Sequence, residues 1–118
     1  MKIHNLLLGL IVGLALFATA CPKRESIGNI ESDPSRFLNK EVAVAGTVTN
    51  SFGASIPGIV SGGVYKIEDQ SGSIWVLTQR GIPLKNARIG VKGRIQNGLI
   101  FNGKNYGLGM IESDRRSK

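Results

Sequence analysis

Residues 64–79 (VYKIEDQSGSIWVLTQ) constrain the fold of this chain more than any other stretch. Apolar and polar residues alternate on both sides of the segment Asp69-Gln70-Ser71-Gly72, which is typical of two strands that each bury one face. An Asp side chain can hydrogen-bond to its own turn and Gly tolerates a positive φ, so these four residues favour a tight turn. The predicted inward-facing residues are Tyr65, Ile67, Ile74 and Val76. An isolated hairpin is marginally stable in water, so further strands must cover it.

The composition supports an all-β domain. The chain has 118 residues, of which 16 are Gly, and its apolar residues favour Ile and Val over Leu once the N-terminus is set aside. Such a mixture suits short, sharply turned strands better than helices. The length allows a single domain, which we place at residues 30–112.

Two other stretches alternate strongly enough to predict strands. Residues 41–50 (EVAVAGTVTN) predict the first strand, and Gly46 in its middle indicates a bulge or a sharp coil. Residues 88–96 (RIGVKGRIQ) predict the fourth strand. The predicted inward-facing residues are Val42, Val44 and Val48 in the first of these strands and Ile89, Val91 and Ile95 in the second.

The segments around these strands are predicted as turns, a loop and a tail. Residues 52–63 (FGASIPGIVSGG) are rich in Gly, Ser and Pro and predict a long mobile loop. Asn97-Gly98 predicts a hairpin turn, after which residues 106–111 (YGLGMI) complete a fifth strand. Residues 113–118 are expected to form a charged, frayed tail.

Ahead of the first strand, the sequence predicts a polar tether and one helical turn. Residues 21–29 are mostly polar and are expected to form the flexible tether. Asp33 is a good N-cap and Pro34 suits the first helical position, so a single turn of helix follows. Phe37 and Leu38 would then close one end of the core.

The strand pattern resembles the oligonucleotide/oligosaccharide-binding (OB) fold, and in particular small exported bacterial OB domains. The resemblance rests on residues 37–48 (FLNKEVAVAGTV), 65–76 (YKIEDQSGSIWV) and 91–95 (VKGRI). It implies a small five-stranded Greek-key barrel that binds ligands on the face of strands two and three and the bordering loops. Many OB domains carry a distinct helix between strands three and four. Residues 79–87 are short for such a helix, so we expect the turn around Phe37 to seal the barrel instead.

The N-terminal residues predict an export signal. An apolar run at residues 6–17 (LLLGLIVGLALF) is too short to span a bilayer comfortably. The following Ala18-Thr19-Ala20-Cys21 resembles a bacterial lipobox, in which the Cys is acylated and becomes the new N-terminus. Cys21 is the only Cys in the chain, so it cannot form an internal disulfide. We therefore predict a signal peptide at residues 1–20 and a lipid anchor on Cys21. The alternative is an ordinary secretory signal that leaves a free Cys.

The predicted anchor and the net charge indicate where the protein acts. A lipid on Cys21 would hold the domain in the cell envelope, on the periplasmic side of a membrane. Lipoproteins kept in the inner membrane of enteric-type bacteria often carry Asp after the Cys, so Pro22 favours the outer membrane if the source is Gram-negative. The net charge of +7 favours anionic partners, such as the membrane itself, acidic glycans or nucleic acid.

The sequence lacks the side chains that most catalytic and metal sites need. Its single His, His4, lies in the predicted signal, so the mature chain has no imidazole for acid–base catalysis or for a His metal site. No Gly-rich stretch matches a phosphate-binding loop. We therefore predict a binding module without cofactor, metal or catalytic residues. The competing hypothesis is a hydrolase that uses Glu68 or Asp69.

Trp75 is the strongest candidate for ligand contact. By strand alternation it faces outward beside Lys66, as a stacking surface for a polymer would. The predicted ligand-binding residues are Lys66, Trp75, Leu77, Arg80 and Arg94. Alternatively, residues 52–63 cover Trp75 as ordinary packing. The expected partner is a protein or an anionic envelope polymer, with single-stranded nucleic acid as the alternative.

Overall fold

Seven strands, one short α-helix and one 3-10 turn form the part of the chain that the computed structural model describes, residues 24–56 and 60–117. The helix α1 (Ile27–Ser32) and the 3-10 turn (Pro34–Arg36) come first. The strands are β1 (Glu41–Ile56), β2 (Val60–Glu68), β3 (Ser73–Thr78), β4 (Arg88–Gln96), β5 (Ile100–Phe101), β6 (Lys104–Asn105) and β7 (Gly109–Ser117). Within these residues, no helix has both the length and the apolar character that crossing a membrane requires.

Five of the strands close into a barrel in the order β1-β2-β3-β7-β4. Neighbouring strands are antiparallel except β3 and β7, which run parallel over three residue pairs from Trp75↔Gly109 to Leu77↔Ile111. β5 and β6 form a separate small hairpin within the link from β4 to β7. This topology confirms the predicted all-β class and the five-stranded OB-like Greek-key barrel.

β1 connects both sides of the barrel because it changes partner in mid-strand. Its residues 41–47 pair with β4, and the rest of the strand pairs with β2. A Cβ atom at Gly46 would collide with the carbonyl oxygen of Glu68, so glycine is needed for this close approach. The register shift itself lies further along, between Val48 and Asn50.

The alternating residues that were predicted to face inward form the barrel core. All ten are at most 5% exposed. Met110 of β7 completes the layer between β3 and β4. Full burial of a side chain of this size stabilises the fold by about 1.5–3 kcal/mol, so the alternation alone accounts for much of the stability.

Helix α1 closes one end of the barrel, and this corrects the prediction of a flexible tether at residues 21–29. Ile27 and Ile30 lie on one helical face and are fully buried in the core. Ser26 caps the helix, because its hydroxyl accepts a hydrogen bond from an amide of the first turn. The polar composition concealed the helix, since only two apolar residues carry its buried face. Residues 21–23 lie outside the described part.

The predicted helical turn before β1 is confirmed as a 3-10 turn. Asp33 is its N-cap and Pro34 its first residue. Phe37 follows it into the core at 7% exposure, with Leu38 packed alongside. The barrel end is therefore sealed jointly by α1 and Phe37, whereas the sequence indicated only the turn around Phe37.

The long mobile loop predicted at residues 52–63 is wrong where the structure describes it. β1 continues to Ile56 and β2 begins at Val60, and the two remain paired, as at Phe52↔Val64. The glycines serve close packing, because a Cβ atom at Gly63 would collide with the backbone of Phe52 and crowd Ile82. Only residues 57–59 separate the strands, and they lie outside the described part.

The predictions for the end of the chain also need correction. β7 begins at Gly109 and extends to Ser117, so the predicted frayed tail is a strand that pairs with β4. Its alternating charges concealed it, since one face of the strand is exposed. The predicted hairpin turn at Asn97-Gly98 is an irregular link. The hairpin turns instead at Asn102-Gly103, where both residues have the positive φ that a type I′ turn requires.

The predicted signal peptide at residues 1–20 and the predicted lipid site at Cys21 lie outside the described residues. Both therefore stay predictions.

Candidate ligand-binding face

The outward side of the β2–β3 hairpin brings Lys66 and Trp75 together. The two residues are direct partners in the antiparallel register, so their side chains leave the sheet on the same face. The Lys66 ammonium lies 5.8 Å from the centroid of the Trp75 ring, which is within the range of a cation–π contact. The predicted alternation of this hairpin is thus confirmed at its most informative residue.

Two further aromatic rings lie against Trp75, and we call Phe52, Trp75 and Tyr106 the aromatic surface. Phe52 stacks on Trp75 at a centroid distance of 5.8 Å and an interplanar angle of 27°. Tyr106 contacts Trp75 from another side at 4.9 Å, tilted by 57°. Phe52 and Tyr106 are themselves 6.4 Å apart, so the three rings form one continuous cluster.

The fold brings these rings together from three distant parts of the chain. Phe52 lies on the extension of β1 beyond the point where that strand leaves β4. Tyr106 follows the β5–β6 hairpin, and its amide donates to the carbonyl of Leu99 at 2.7 Å, which fixes the end of the link. The aromatic surface therefore lies where the β1–β2 hairpin and the β4–β7 link border strands β2 and β3.

The exposure of the cluster allows contact with a ligand. Phe52 is 52% exposed, whereas Trp75 and Tyr106 are half-buried by their mutual contacts. Among the described side chains of residues 52–63, the ring of Phe52 covers part of Trp75. Part of the Trp75 surface remains accessible.

Positive charge lies at two edges of the aromatic surface. Lys66 lies next to Trp75, and Lys104 lies 5.2 Å from the Tyr106 ring centroid. A ligand that stacked on the rings would therefore meet an ammonium group beside Trp75 and another beside Tyr106. Such a combination suits an anionic chain that carries flat ring faces.

A row of apolar side chains continues the face beyond the rings. The register places Val64, Leu77 and Ile111 side by side across β2, β3 and β7. Val64 is buried, Leu77 is half-buried and Ile111 is 38% exposed. Leu77 thus lies on the predicted face. Its apolar neighbour Ile111 was not predicted to belong to this face.

Arg80 lies apart from the aromatic surface. It follows the end of β3, and its guanidinium reaches Asp114 at 3.4 Å and the carbonyl of Ser113 at 3.5 Å. The amide of Arg115 and then the Arg80 guanidinium hold the pKa of Asp114 below its ordinary value. Arg80 thus has a partner within the fold.

Arg94 lies on β4, in the same cross-strand row as Ile111 but on its far side from Leu77. It is exposed and pairs in register with Glu41 of β1. Of the five predicted ligand-binding residues, the structure brings together Lys66, Trp75 and Leu77. Whether any of the five contacts a ligand stays a prediction.

Sequence reasoning missed Phe52 and Tyr106 because it assigned Phe52 to a loop and Tyr106 to the start of the fifth strand, which in fact begins at Gly109. A signal existed, since each aromatic residue stands within a Gly-rich stretch, where an exposed ring has no evident structural purpose. Their convergence on Trp75 depends on the closed barrel, which local patterns do not specify.

A buried polar cluster lies inside the barrel, at the end where β3 stops. The hydroxyl of Tyr65 donates to Oε1 of Glu112, and the hydroxyl of Thr78 donates to Oε2 at 2.6 Å. The Arg115 guanidinium lies 3.5 Å from the same carboxylate, whose side chain is 2% exposed. Burial, and next the hydrogen bond to Glu112, raise the pKa of Tyr65 far above its ordinary value.

Asp69 organises the opposite end of the barrel. Its Oδ1 accepts hydrogen bonds from the amides of Ser71 and Gly72 at 2.7 and 3.0 Å, and its Oδ2 accepts from the amide of Ile27 at 2.9 Å. Partial burial raises the pKa of Asp69, but these hydrogen bonds outweigh it and hold the pKa below its ordinary value. Both oxygens are thus occupied in joining the turn to α1. Among the described residues, no group of three or more His, Cys, Asp or Glu could hold a metal ion.

Comparison with known proteins shows the fold. No family model and no curated protein matches the sequence. The chain is similar to the OB domain of Ta0387 from Thermoplasma acidophilum, with a TM-score of 0.54, 20% identity, and coverage of 81% of this chain and 87% of that one. It is also similar to "a putative aspartyl-tRNA synthetase from Leishmania major Friedlin", with a TM-score of 0.57 and 10% identity over 80% of this chain. The match spans only 20% of that longer protein. The barrel topology and these similarities together show that the described domain has the OB fold.

Proposed function

We propose that this protein is a non-catalytic binding module that a lipid on Cys21 holds at the periplasmic side of a bacterial membrane, with the outer membrane favoured. Its aromatic surface contacts an anionic envelope polymer. The observation that carries the proposal is the cluster of Phe52, Trp75 and Tyr106 with Lys66 and Lys104 beside it. Rings of this kind bind flat ligand faces, and the two ammonium groups favour negative charge.

The position of the cluster supports this role. In OB folds the face of strands two and three, bordered by the loops on either side, is the usual ligand surface. Here that face carries the only Trp of the chain. A polymer suits the elongated arrangement, since the apolar row through Leu77 continues the surface beyond the rings.

A catalytic role for Glu68 or Asp69 has less support than binding. The Asp69 carboxylate is engaged by backbone amides on both oxygens, as expected of a residue that maintains a turn. Glu68 is the last residue of β2, and it is exposed. The proposal would be overturned by a turnover that Asp69→Asn abolishes while the variant remains folded.

A protein partner and single-stranded nucleic acid are the other candidates. A protein could use the apolar row. Strand addition would have to use the β1–β2 hairpin where it extends beyond β4 and β3, because the rest of the barrel is closed. Nucleic acid would use the same rings and lysines, with each stacked base contributing about 1–3 kcal/mol. We rank it second because nucleic acid is scarce outside the cytoplasm, where the predicted signal would place the domain.

Intrinsic fluorescence of Trp75 tests the proposal directly, because no other Trp contributes. The protein is titrated with polygalacturonate as an anionic glycan, and separately with an oligo(dT) single strand, at low and high salt. We expect a saturable change in emission that is stronger with the glycan and weakens with salt, since ammonium groups contribute to binding. A stronger, salt-sensitive response to oligo(dT) would favour nucleic acid.

Two variants separate stacking from a general loss of structure. Trp75 has to be kept as the reporter, so Tyr106→Ala is the test variant, and it should weaken binding about 5-fold or more. Leu84→Ala is the matched control, because Leu84 is 82% exposed on the connector before β4. If neither polymer changes the emission and acrylamide fails to quench Trp75, the aromatic surface is a packed cluster and the proposal is wrong.

The lipid anchor is tested separately. Cells that produce the full chain are grown with an alkyne analogue of palmitate. We expect labelled protein from the parent chain and none from a Cys21→Ser variant. Label that persists in this variant would overturn the anchor without affecting the binding proposal.

A further inference from the structure

A second surface, on the side of the barrel away from the aromatic surface, concentrates positive charge. Its central strand, β4, lies between β1 and β7 and neighbours neither β2 nor β3. The outward positions of β4 alternate with core positions, and basic residues from the adjoining segments lie beside them. We call this surface the basic face, and it comprises Arg24, Arg88, Lys92, Arg94 and Arg116.

A shallow groove of about 350 Å³ lies at the centre of the basic face. Ala43 of β1 and Gly90 of β4 line the groove, and their small size leaves space above the outer surface of the sheet. Its charged lining residues are Arg24, Lys92, Arg115 and Arg116, together with the carboxylate-bearing Asp114. The long side chains can thus present several charges around one recess.

Carboxylates compensate only part of this charge. The register places Glu41 opposite Arg94 and Asp114 opposite Lys92. Asp114 is already engaged by Arg80 at 3.4 Å. At the other end of β4, Glu68 and Asp69 line the same recess as Arg88. Five cations therefore lie near four carboxylates, two of which, Asp69 and Asp114, are already engaged by other groups.

The chain enters the domain at this same surface. Arg24 bridges to Ala43, and the next amide, that of Glu25, donates to the carbonyl of Ala43 at 2.7 Å. Cys21 precedes Arg24 by three residues, a span of at most roughly 11 Å when extended. An acyl group on Cys21 would therefore hold the basic face close to the membrane.

We propose that the basic face docks on anionic phospholipid headgroups and so turns the aromatic surface away from the membrane. This inference rests on the proposed function, because the lipid anchor would keep the domain near the membrane. The charge of the basic face would then set the orientation of the domain. Basic residues near an anionic bilayer each add favourable electrostatic energy that falls off within a Debye length. Docking would thus leave the ligand-binding side open to the surrounding space.

The test places one reporter in the groove of the basic face and another on the β5–β6 hairpin, which precedes Tyr106. An environment-sensitive fluorophore is attached to Ala43→Cys in the groove or to Ile100→Cys, which lies on the β5–β6 hairpin at 62% exposure. The parent chain without an added cysteine gives the background from Cys21. Each full chain is mixed with vesicles of phosphatidylcholine alone or with phosphatidylglycerol added, and flotation measures attachment.

We expect the probe at Ala43 to shift to the blue only on vesicles that contain phosphatidylglycerol, and the probe at Ile100 to remain unchanged. Added salt should reverse the shift. A Lys92→Gln/Arg116→Gln double variant should lower the ratio of docked to undocked protein roughly 30-fold. The matched control, Lys66→Gln/Lys104→Gln, removes the same charge from the aromatic side and should leave docking intact.

The outcomes distinguish failure of docking from failure of the anchor. Chain that floats with both vesicle types but shows the same Ala43 emission on each would overturn docking alone. Chain that floats with neither would overturn both docking and anchor. Flotation on the anionic vesicles alone, with the Ala43 shift, would support docking without the anchor. Oligo(dT) is also added as a competitor at the same total charge as the anionic vesicles. If it reverses the Ala43 shift, the basic face binds a polymer in preference to phospholipid headgroups, and the proposal is wrong.

Discussion

The two ends of the barrel are sealed by opposite kinds of interaction. At one end, α1 inserts Ile27 and Ile30 into the core, and a hydrogen bond from the amide of Ile27 to Asp69 holds the helix from outside. At the other end, the Glu112 carboxylate lies inside the barrel and accepts hydrogen bonds from the hydroxyls of Tyr65 and Thr78. The first end is apolar within and polar outside, and the second places its polar groups within.

This difference has consequences for tolerance to change. An apolar plug loses stability in proportion to the atoms removed. A buried carboxylate cluster depends on every partner, because any group left without one keeps its desolvation cost. We therefore expect the Glu112 end to respond more sharply to single substitutions than the α1 end.

The largest effect is expected from Glu112→Ala. It leaves the Arg115 guanidinium without its carboxylate and two buried hydroxyls without an acceptor, which should cost about 3–5 kcal/mol of unfolding free energy. Urea unfolding followed by Trp75 fluorescence measures the loss. Glu41→Ala removes an exposed carboxylate and should cost less than about 1 kcal/mol. A similar small loss for both variants would contradict the proposed importance of the cluster.

The apolar plug is tested by Ile30→Ala, with an expected loss of about 2–4 kcal/mol. Ile30 is fully buried against the core, so its removal leaves a cavity beneath the barrel end. The same urea measurement applies, with Leu84→Ala as an exposed control. If Ile30→Ala costs no more than this control, α1 is not a structural part of the barrel.

The smallest effect is expected from Asp69→Asn, and this effect should depend on pH. Since the pKa of Asp69 is lowered in the folded state, its charge stabilises the protein above the unfolded pKa of about 3.9, and this contribution disappears as the pH falls through the folded value. The variant should lose about 1 kcal/mol at pH 7. The difference between wild type and variant should shrink below about pH 4. If the difference in unfolding free energy stays constant down to pH 2, the loss comes from altered hydrogen bonding or packing and not from the charge of Asp69.

The main features of the barrel could be predicted because they depend on local patterns. Strict alternation in residues 41–50 and 88–96 marks strands that bury one face, and the order of strands and turns then permits few topologies. The Asp69 turn was predicted for the right reason, since its carboxylate does accept from the backbone of the same turn. Lys66 and Trp75 could be paired because a tight turn sets the register.

The features that were missed depend on contacts between distant parts of the chain. Composition assigned residues 27–29 of α1 to the tether and residues 113–117 of β7 to the tail. In both segments, the polar residues of the exposed face conceal a short buried face. The meeting of Phe52 and Tyr106 over Trp75 requires the closed barrel, so no window of sequence contains it. The Glu112 cluster was equally invisible, since an isolated carboxylate near the end of a chain ordinarily indicates solvent.

The parallel seam between β3 and β7 affects how the domain can fold. Only three residue pairs close the barrel here, and they join residues more than thirty positions apart, as at Trp75↔Gly109. Closing so long a loop has an entropic cost before any contact compensates it. Strands β1 to β3 can associate earlier through hairpins, but they form an open sheet until β4 and β7, which pair with β1 and β3 over long sequence separations, arrive. Barrel closure should therefore be the late, slow step, and a chain that is still being made or transported would remain open along this line.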